Sequence, residues 1–425
     1  MQEKSLLSKD FIFMSIGQII SLFGNQILRF ALPLFLLNQT GSSALFGTIS
    51  AVSFIPMILL FPIGGVIADR VNKRNIMVAL DFVTSALVLV FSVLVWKFEI
   101  VPLIAVTMII LYAIQGAYQP AVKASIPVLV DTGHLMQANS VVDVISSLAN
   151  MIGPVIGGLL FSLVGLAPIL YISIVCFFAS AVMEMFLHIP SPKKLKQGNM
   201  IVTGIRDIAE SFGFIFKHKP AVWKMCMTYG MVSLLLCSLF VIALPVLLTQ
   251  SLGFGKEFAN RLYGYAEGMI AAGSILGGLL AGVLAKKLKP KAIPYLMIGC
   301  ALAILICGAA LQILNSSMAV YVVLVIGCSV LMILASLFQV QMMSYIQILT
   351  PNDLIGKVVS CVICVCMCSS PIGQFIYGFV FEHIGRYTYL PFYIASLITI
   401  MLGIFSFGFY RKIEIEIEQR IEKLK

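Results

Sequence analysis

Apolar runs of about twenty residues or more alternate with short polar breaks along almost the whole chain. The runs occupy residues 11–37, 44–68, 75–95, 100–122, 139–163, 167–189, 221–249, 259–285, 292–313, 317–345, 356–381 and 387–410. At about 1.5 Å per residue, each is long enough to cross the hydrocarbon core of a bilayer as a helix. The pattern predicts an all-α membrane protein with twelve transmembrane helices. The break between the second and third runs reads Gly64, Gly65, Val66, Ile67, Ala68, Asp69, Arg70, Val71, Asn72, Lys73, Arg74. It is expected to be a tight loop. Gly64 and Gly65 are expected to admit a neighbouring helix closely, and Asp69 to accept hydrogen bonds at the N-terminus of another helix.

The pattern repeats. Gly65-Val-Ile-Ala-Asp69-Arg70-Val71 corresponds to Gly282-Val-Leu-Ala-Lys286-Lys287-Leu288, Ile126-Pro-Val-Leu-Val to Ile346-Gln-Ile-Leu-Thr, and Pro154 to Pro371. The offset stays between about 217 and 220 residues, which implies two pseudo-symmetric six-helix bundles around a midplane site. The chain then divides into an N-terminal bundle (1–190), a linker (191–220), a C-terminal bundle (221–411) and a tail (412–425). In the linker, Ile201, Ile205, Ile208, Phe212 and Ile215 share one helical face, as in an amphipathic helix lying on a membrane surface. The tail alternates Ile and Glu over 413–418. Ile413, Ile417, Ile421 and Leu424 also share a helical face, and helix is favoured because Glu and Lys are good helix formers.

Composition removes the soluble alternatives. Sixty per cent of the 425 residues are hydrophobic and 11% charged, with a mean hydropathy of +1.05. A water-soluble fold cannot bury that much apolar surface. The net charge of +10 does not indicate nucleic acid, because the cations cluster in the breaks between spans. Roughly 22 Lys and Arg fall on the side of the chain ends and about four (Lys97, Lys256, Arg261, Arg386) opposite, which places both termini in the cytoplasm. Residues 1–10 are polar and the first apolar run is too long for a signal peptide, so no cleaved leader is expected. Nearly all ten cysteines sit inside spans and read as reduced apolar filler.

These features resemble the major facilitator superfamily. The 65–74 loop, with Asp69, Arg70 and its basic pair, matches that superfamily's signature between spans 2 and 3. Its second-half copy is degraded at Lys286. Ala149, Gly153, Pro154, Gly157 and Gly158 in span 5 resemble the Gly-Pro-x-x-Gly-Gly pattern of antiporting exporters. Gly17-Gln18 with Gly24-Asn25-Gln26, Pro120 with Ile126-Pro127, Ala138-Asn139-Ser140 and Gly204-Ile205-Arg206 narrow the resemblance to the branch of macrolide efflux proteins and the enterobactin exporter. One departure matters: Tyr112 stands where many superfamily antiporters carry an Arg three residues before Gln-Gly. A coupling scheme built on that Arg does not carry over.

Candidate chemistry follows from where polar groups interrupt the spans. Gly153, Gly157 and Gly158 leave one face of span 5 bare, and Pro154 bends it, as suits a sliding interface. With Gly65, Asp69, Arg70 and Arg74 they are the conformational-switch candidates. Asp81, Asp143 and Glu184 lie about 6–9 Å from the cytoplasmic ends of their spans. They are expected to be water-reaching or loop-paired carboxylates, Asp81 with Arg70 or Arg74. Asp143 is retained among the proton-coupling candidates. Arg29 and Glu267 both lie about 12 Å in from the opposite ends of spans 1 and 8. They are expected to face each other, so that protonation of Glu267 breaks the pair and biases a two-state equilibrium. For substrate, the candidates are Asn25, Gln26, Tyr112, Gln115, Gln119, Phe338, Gln339 and Gln341, with Tyr118 and Tyr345 beside them. Aromatic walls carrying a few amides suit a bulky amphiphile. Cys361, Cys364, Cys366 and Cys368 are not expected to hold a metal, since buried thiolates are costly and no His is near. His134, His188, His218 and His383 fall at loops or span ends.

The chain lacks a phosphate-binding Gly-x-x-x-x-Gly-Lys-Ser/Thr loop and the His-Glu-x-x-His and Gly-x-Ser-x-Gly patterns. No catalytic residue and no cofactor are expected, and a gradient rather than ATP is expected to supply energy. The sequence therefore reads as a monomeric membrane transporter that exports a hydrophobic or amphiphilic compound, macrolide-like, in exchange for protons. Its alternative cargo is an endogenous product such as a siderophore or lysolipid. Membrane lipids, protons and a small molecule are its expected partners.

Overall fold

The computed structural model of the chain describes residues 8–131, 134–189, 220–284, 289–350 and 355–424. The linker and its expected amphipathic helix lie outside the described residues. Twelve helices are described: α1 Lys9–Thr40, α2 Ser43–Arg70, α3 Lys73–Leu94, α4 Ile100–Leu129, α5 Leu135–Val164, α6 Leu166–Glu184, α7 Pro220–Ser251, α8 Lys256–Leu284, α9 Ile293–Ile313, α10 Ser317–Leu349, α11 Ile355–His383 and α12 Leu390–Leu424. Each holds a stretch long and apolar enough to cross a membrane, and no strand occurs among the described residues. The tail is the continuation of α12, as favoured from its composition.

Local chemistry sets the helix ends. Ser8 caps α1, its hydroxyl accepting from Phe11 N–H at 3.3 Å. Gly41 ends α1 in the left-handed region (φ 65°), which a side chain disfavours. The tight loop expected within 64–74 is present but shorter than that stretch: α2 runs through Arg70, and Asn72 caps α3 by accepting from Arg74 N–H at 3.0 Å. Only Val71 and Asn72 separate the helices. Asn72 also donates to the Ile189 carbonyl (3.2 Å), and the Arg74 guanidinium donates to the Met185 carbonyl, tying this corner to the end of α6.

Two compact units form. The first comprises Met1–Gly41, Val52–Gly204 and Lys256–Gly268; the second comprises Ser42–Ala51, Ile205–Gly255 and Met269–Lys425. Each therefore holds most of one six-helix half and the N-terminal end of one helix from the other half: α8 in the first unit, α2 in the second. Pairings within the units repeat. α3 packs on α4 and α6 as α9 packs on α10 and α12, and α1 packs on α5 as α7 packs on α11. These are the helix equivalences that the 217–220 residue offset predicts.

The exchanged helix ends are held by glycine crossings. In the first unit, a methyl added at Gly158 of α5 would stand 2.7 Å from Cα of Gly264 in α8. In the second, a methyl at Gly47 of α2 would stand 2.8 Å from Cα of Gly378 in α11. Gly47 and Gly264 are repeat equivalents, as are Gly158 and Gly378. Backbone-to-backbone approach of this kind maximises dispersion contact where lipid offers no hydrophobic drive.

Candidate functional site

In the first unit, α1 and α4 bring several candidate residues together. Asn25 is buried and its amide donates to Gln115 Oε1 at 3.2 Å. Gln26 donates to Asn150 of α5, and a methyl at Gly153 would meet the Gln26 side chain at 2.6 Å, so the bare face of α5 is where α1 seats its amide. Gly157 leaves room for Phe30 and Ile27 of α1. Gln119 is half-buried on α4. Gly64 lies against Gly116 and Ala117 of α4, with a methyl there 2.9 Å from Ala117 Cα, whereas Gly65 has open space. The close approach expected of the glycine pair therefore belongs to Gly64 alone.

Arg29 and Glu267 belong to the same unit but are not joined in an ion pair. The Arg29 guanidinium lies 4.1 Å from the centre of the Tyr112 ring, a cation–π contact. Phe54 packs edge-on to the same ring at 4.8 Å. Glu267 is hydrogen-bonded to Tyr263, one turn earlier on α8. Tyr263 stacks on Phe30 at 4.7 Å. The expected direct pair is thus replaced by aromatic partners, because Tyr112 and Tyr263 offer each charge a nearer neighbour. Tyr112, where many relatives in the resembling family carry Arg, serves as the seat of a cation. Asp143 is exposed on α5. The side chains of Asp69 and Arg70 lie outside the described residues.

Asp81 and Glu184 differ from expectation. Neither reaches water: Asp81 is 2% exposed and Glu184 0%. Asp81 makes no ion pair with Arg74, the one arginine of the corner whose side chain is described. It accepts from the Ser21 hydroxyl at 3.0 Å, while Arg74 is engaged with Met185. Glu184 accepts from the Tyr118 hydroxyl at 2.7 Å. Helix-end distance misjudges both, because α4 continues to Leu129 and α1 begins at Lys9, so protein covers the ends of spans 3 and 6. Tyr118 is accordingly a core residue, 3% exposed, and not a cavity wall.

In the second unit, Phe338 and Gln339 line a cavity of about 100 Å³ with Tyr229, Ser233, Cys237, Ser274, Met332 and Ser336. Phe338 stacks on Tyr229 at 5.8 Å and 14° between planes. Here α7 widens to a π-helical turn over Ser233–Cys237, a local unwinding that recurs at functional sites. Ser238 holds the turn with a single hydroxyl proton shared between the carbonyls of Ser233 (3.0 Å) and Ser370 of α11 (2.9 Å). Gln341 is buried beside this region on α10. Tyr229, Ser233 and Ser274 escape the sequence reading because single hydroxyls in apolar spans carry no periodic signal. The buried cluster on α1 does carry one: Gln18, Ser21 and Asn25 recur at helical spacing.

The geometry is that of a helical membrane protein with polar and aromatic groups gathered inside its bundles. A sequence model of the Major Facilitator Superfamily matches residues 14–370. Macrolide efflux protein A of Streptococcus pyogenes is 23% identical over 264 residues, 61% of this chain and 64% of that protein, so the match spans less than two thirds of that relative. Multidrug efflux pump Tap of Mycobacterium tuberculosis is 22% identical over 365 residues, 84% of this chain and 83% of the pump. Among solved structures, a bacterial homolog of the human lysosomal transporter Spinster aligns with a TM-score of 0.70 at 13% identity, over 97% of this chain and 99% of that one. That likeness concerns the fold.

Proposed function

Because this chain belongs to the Major Facilitator Superfamily, we propose that it is a secondary active exporter of a hydrophobic or amphiphilic organic compound, macrolide-like in size, driven by proton antiport. The chemistry of the internal surfaces supports this reading most directly. Tyr229, Phe338, Met332, Ser274 and Gln339 around one cavity offer flat apolar area with a few hydrogen-bonding groups, and at about 100 Å³ it seats one apolar part of a larger amphiphile. The names of the macrolide and multidrug efflux relatives point to the same cargo class.

On this reading both termini are cytoplasmic, and the N-terminal ends of α2 and α8 are at the outer face. Alternating access then requires the Gly158–Gly264 and Gly47–Gly378 crossings to part and re-form. Gly153, Pro154, Gly157 and Gly158 supply the smooth, bent surface, and the 65–74 corner anchors α2 and α3 to the end of α6. Arg29 and Glu267 act through their aromatic seats: loss of charge on Glu267 frees Tyr263, which is stacked on Phe30, the neighbour of Arg29. The test is efflux of radiolabelled erythromycin from cells, or counterflow in vesicles, under an imposed pH gradient. Glu267→Gln is expected to lower gradient-driven efflux roughly tenfold, equivalent to about 1.4 kcal/mol of lost coupling. Unchanged coupled efflux would remove Glu267 from the mechanism. Export of an endogenous siderophore or lysolipid is the second reading, favoured if macrolides and dyes fail to compete.

A further inference from the structure

We propose that Asp81 and Glu184, buried together in the first unit, form a carboxyl pair that holds and exchanges a proton, and that this site, one helical turn from Asn25 and Gln115, couples the proton to the cargo. The inference rests on the antiport reading above and locates its proton within one bundle.

Two carboxyl groups share this interior without a described cation. Facing them are Ser21 from α1, Tyr118 from α4 and, from α6, Ser180, whose hydroxyl lies beside Asp81 and donates to the Gly17 carbonyl at 2.9 Å; Gln18, one turn before Ser21 on α1, is buried on the same face. Among described cations on these helices, Arg74 is bound to the Met185 carbonyl, Arg29 lies over the Tyr112 ring, and Lys9 and Lys123 are exposed. Lys73, at the start of α3, makes no described ion pair with either carboxyl. An ionised carboxylate removed from water costs several kcal/mol when unpaired, and two neighbouring ones repel.

Asp81 Oδ2, Glu184 Oε2 and Gln18 Oε1 are buried acceptors with no partner, and Gln18 Nε2 is a buried donor with none. Gln18 is 0% exposed. Its register directs it at α4: Met14 and Asn25, on the same face of α1, touch Ser125 and Gln115, and Tyr118 lies between those two contacts. Three orphan acceptor oxygens against the two N–H groups of one amide is a shortage of donors. A proton on one carboxyl oxygen converts an acceptor to a donor and relieves it. A divalent ion would want six or more oxygens, and no group of three acidic, His or Cys side chains able to hold a metal occurs among the described residues.

The route to the cargo is short. Ser21, bonded to Asp81, is one turn from Asn25 on α1. Tyr118, bonded to Glu184, is three residues from Gln115 on α4. Asn25 and Gln115 are bonded to each other. When the proton passes to water that enters as the bundle opens, the carboxyl that gives it up becomes a carboxylate and draws its hydroxyl donor, Ser21 for Asp81 or Tyr118 for Glu184, fully to it. The α1–α4 contact that carries the Asn25 and Gln115 amides, both candidates for cargo contact, shifts with them, a contiguous packed path.

Infrared pH-difference spectroscopy on the full chain in lipid tests the site without cargo. The wild type is expected to show a carboxylic-acid carbonyl band that titrates with pH, kept in Glu267→Gln and lost in Asp81→Asn/Glu184→Gln, whose amides mimic the protonated pair. If that double variant does not fold, Tyr118→Phe is expected to shift the midpoint of the band. A band unchanged in the double variant and in Tyr118→Phe, absent from the wild type, or responding to sodium instead of pH overturns the proposal. In vesicles, the double variant is expected to lose at least about tenfold of pH-gradient-driven erythromycin transport while keeping erythromycin counterflow; full gradient-driven transport would overturn the coupling role. A wild type with no gradient dependence would defeat the antiport reading and with it the coupling role, while the band would still decide the proton site.

Discussion

Tyr118 and Tyr112 sit six residues apart on α4 and do opposite things. Tyr118 donates to a buried carboxyl; Tyr112 offers its ring face to the Arg29 guanidinium. Removing the Tyr118 hydroxyl leaves Glu184 Oε1 without that donor, in addition to the orphan Oε2. Tyr118→Phe is therefore expected to lower stability by about 1–3 kcal/mol, the desolvation penalty of an abandoned acceptor, read as a fall in melting temperature in detergent. Tyr112→Leu removes a cation–π contact worth about 0.5–2 kcal/mol and sets Arg29 free. Erythromycin efflux is expected to fall more than stability does, whereas Tyr112→Phe keeps the ring and is expected to retain both. Equal efflux in Tyr112→Leu and wild type would strip Tyr112 of its role.

At the scale of elements, the glycine crossings decide what the helices can do. A side chain at Gly158 or Gly378 must push apart two backbones that approach within ordinary contact distance, and overpacking of this kind costs about 1–3 kcal/mol. Gly158→Leu and Gly378→Leu are expected to impair transport alike, because repeat symmetry gives them the same task. Gly65→Ala, with open space around it, is expected to be tolerated. Matched erythromycin efflux and melting assays on the three variants check this. The α2 crossing carries an extra restraint: Glu382 of α11 accepts from the Ser43 hydroxyl and the Ala44 N–H, both at 3.1 Å, at the start of α2. A carboxylate at a helix N-terminus is favourable by about 0.3–1 kcal/mol. The sequence made the twelve helices and the bare face of α5 readable, because apolar run length and glycine spacing are local properties. It did not fix where the helices end at the 64–74 corner: the polar residues there signal a membrane boundary near 68, while helical hydrogen bonds persist past it to Arg70.

The whole molecule is built from one motif used twice, and the sequence offset of 217–220 residues foretells which helices pair in each unit. What the offset does not foretell is that the N-terminal ends of α2 and α8 belong to the compact units opposite to their own halves. That exchange depends on tertiary packing at Gly47 and Gly264, invisible to a linear pattern. The buried carboxyl pair was hidden for a similar reason. Depth along a single span placed Asp81 and Glu184 near a rim, but four helices from distant parts of the chain decide whether water reaches them. The polar stripe of Gln18, Ser21 and Asn25 was the legible trace. The account as a whole stands on export driven by a proton gradient. Its most direct test is the retention of preloaded radiolabelled erythromycin in cells expressing the chain, with and without a protonophore. Faster loss than in control cells, abolished by the protonophore while ATP is held constant, is the result expected. Loss equal to the control, or loss that survives the protonophore, would contradict it.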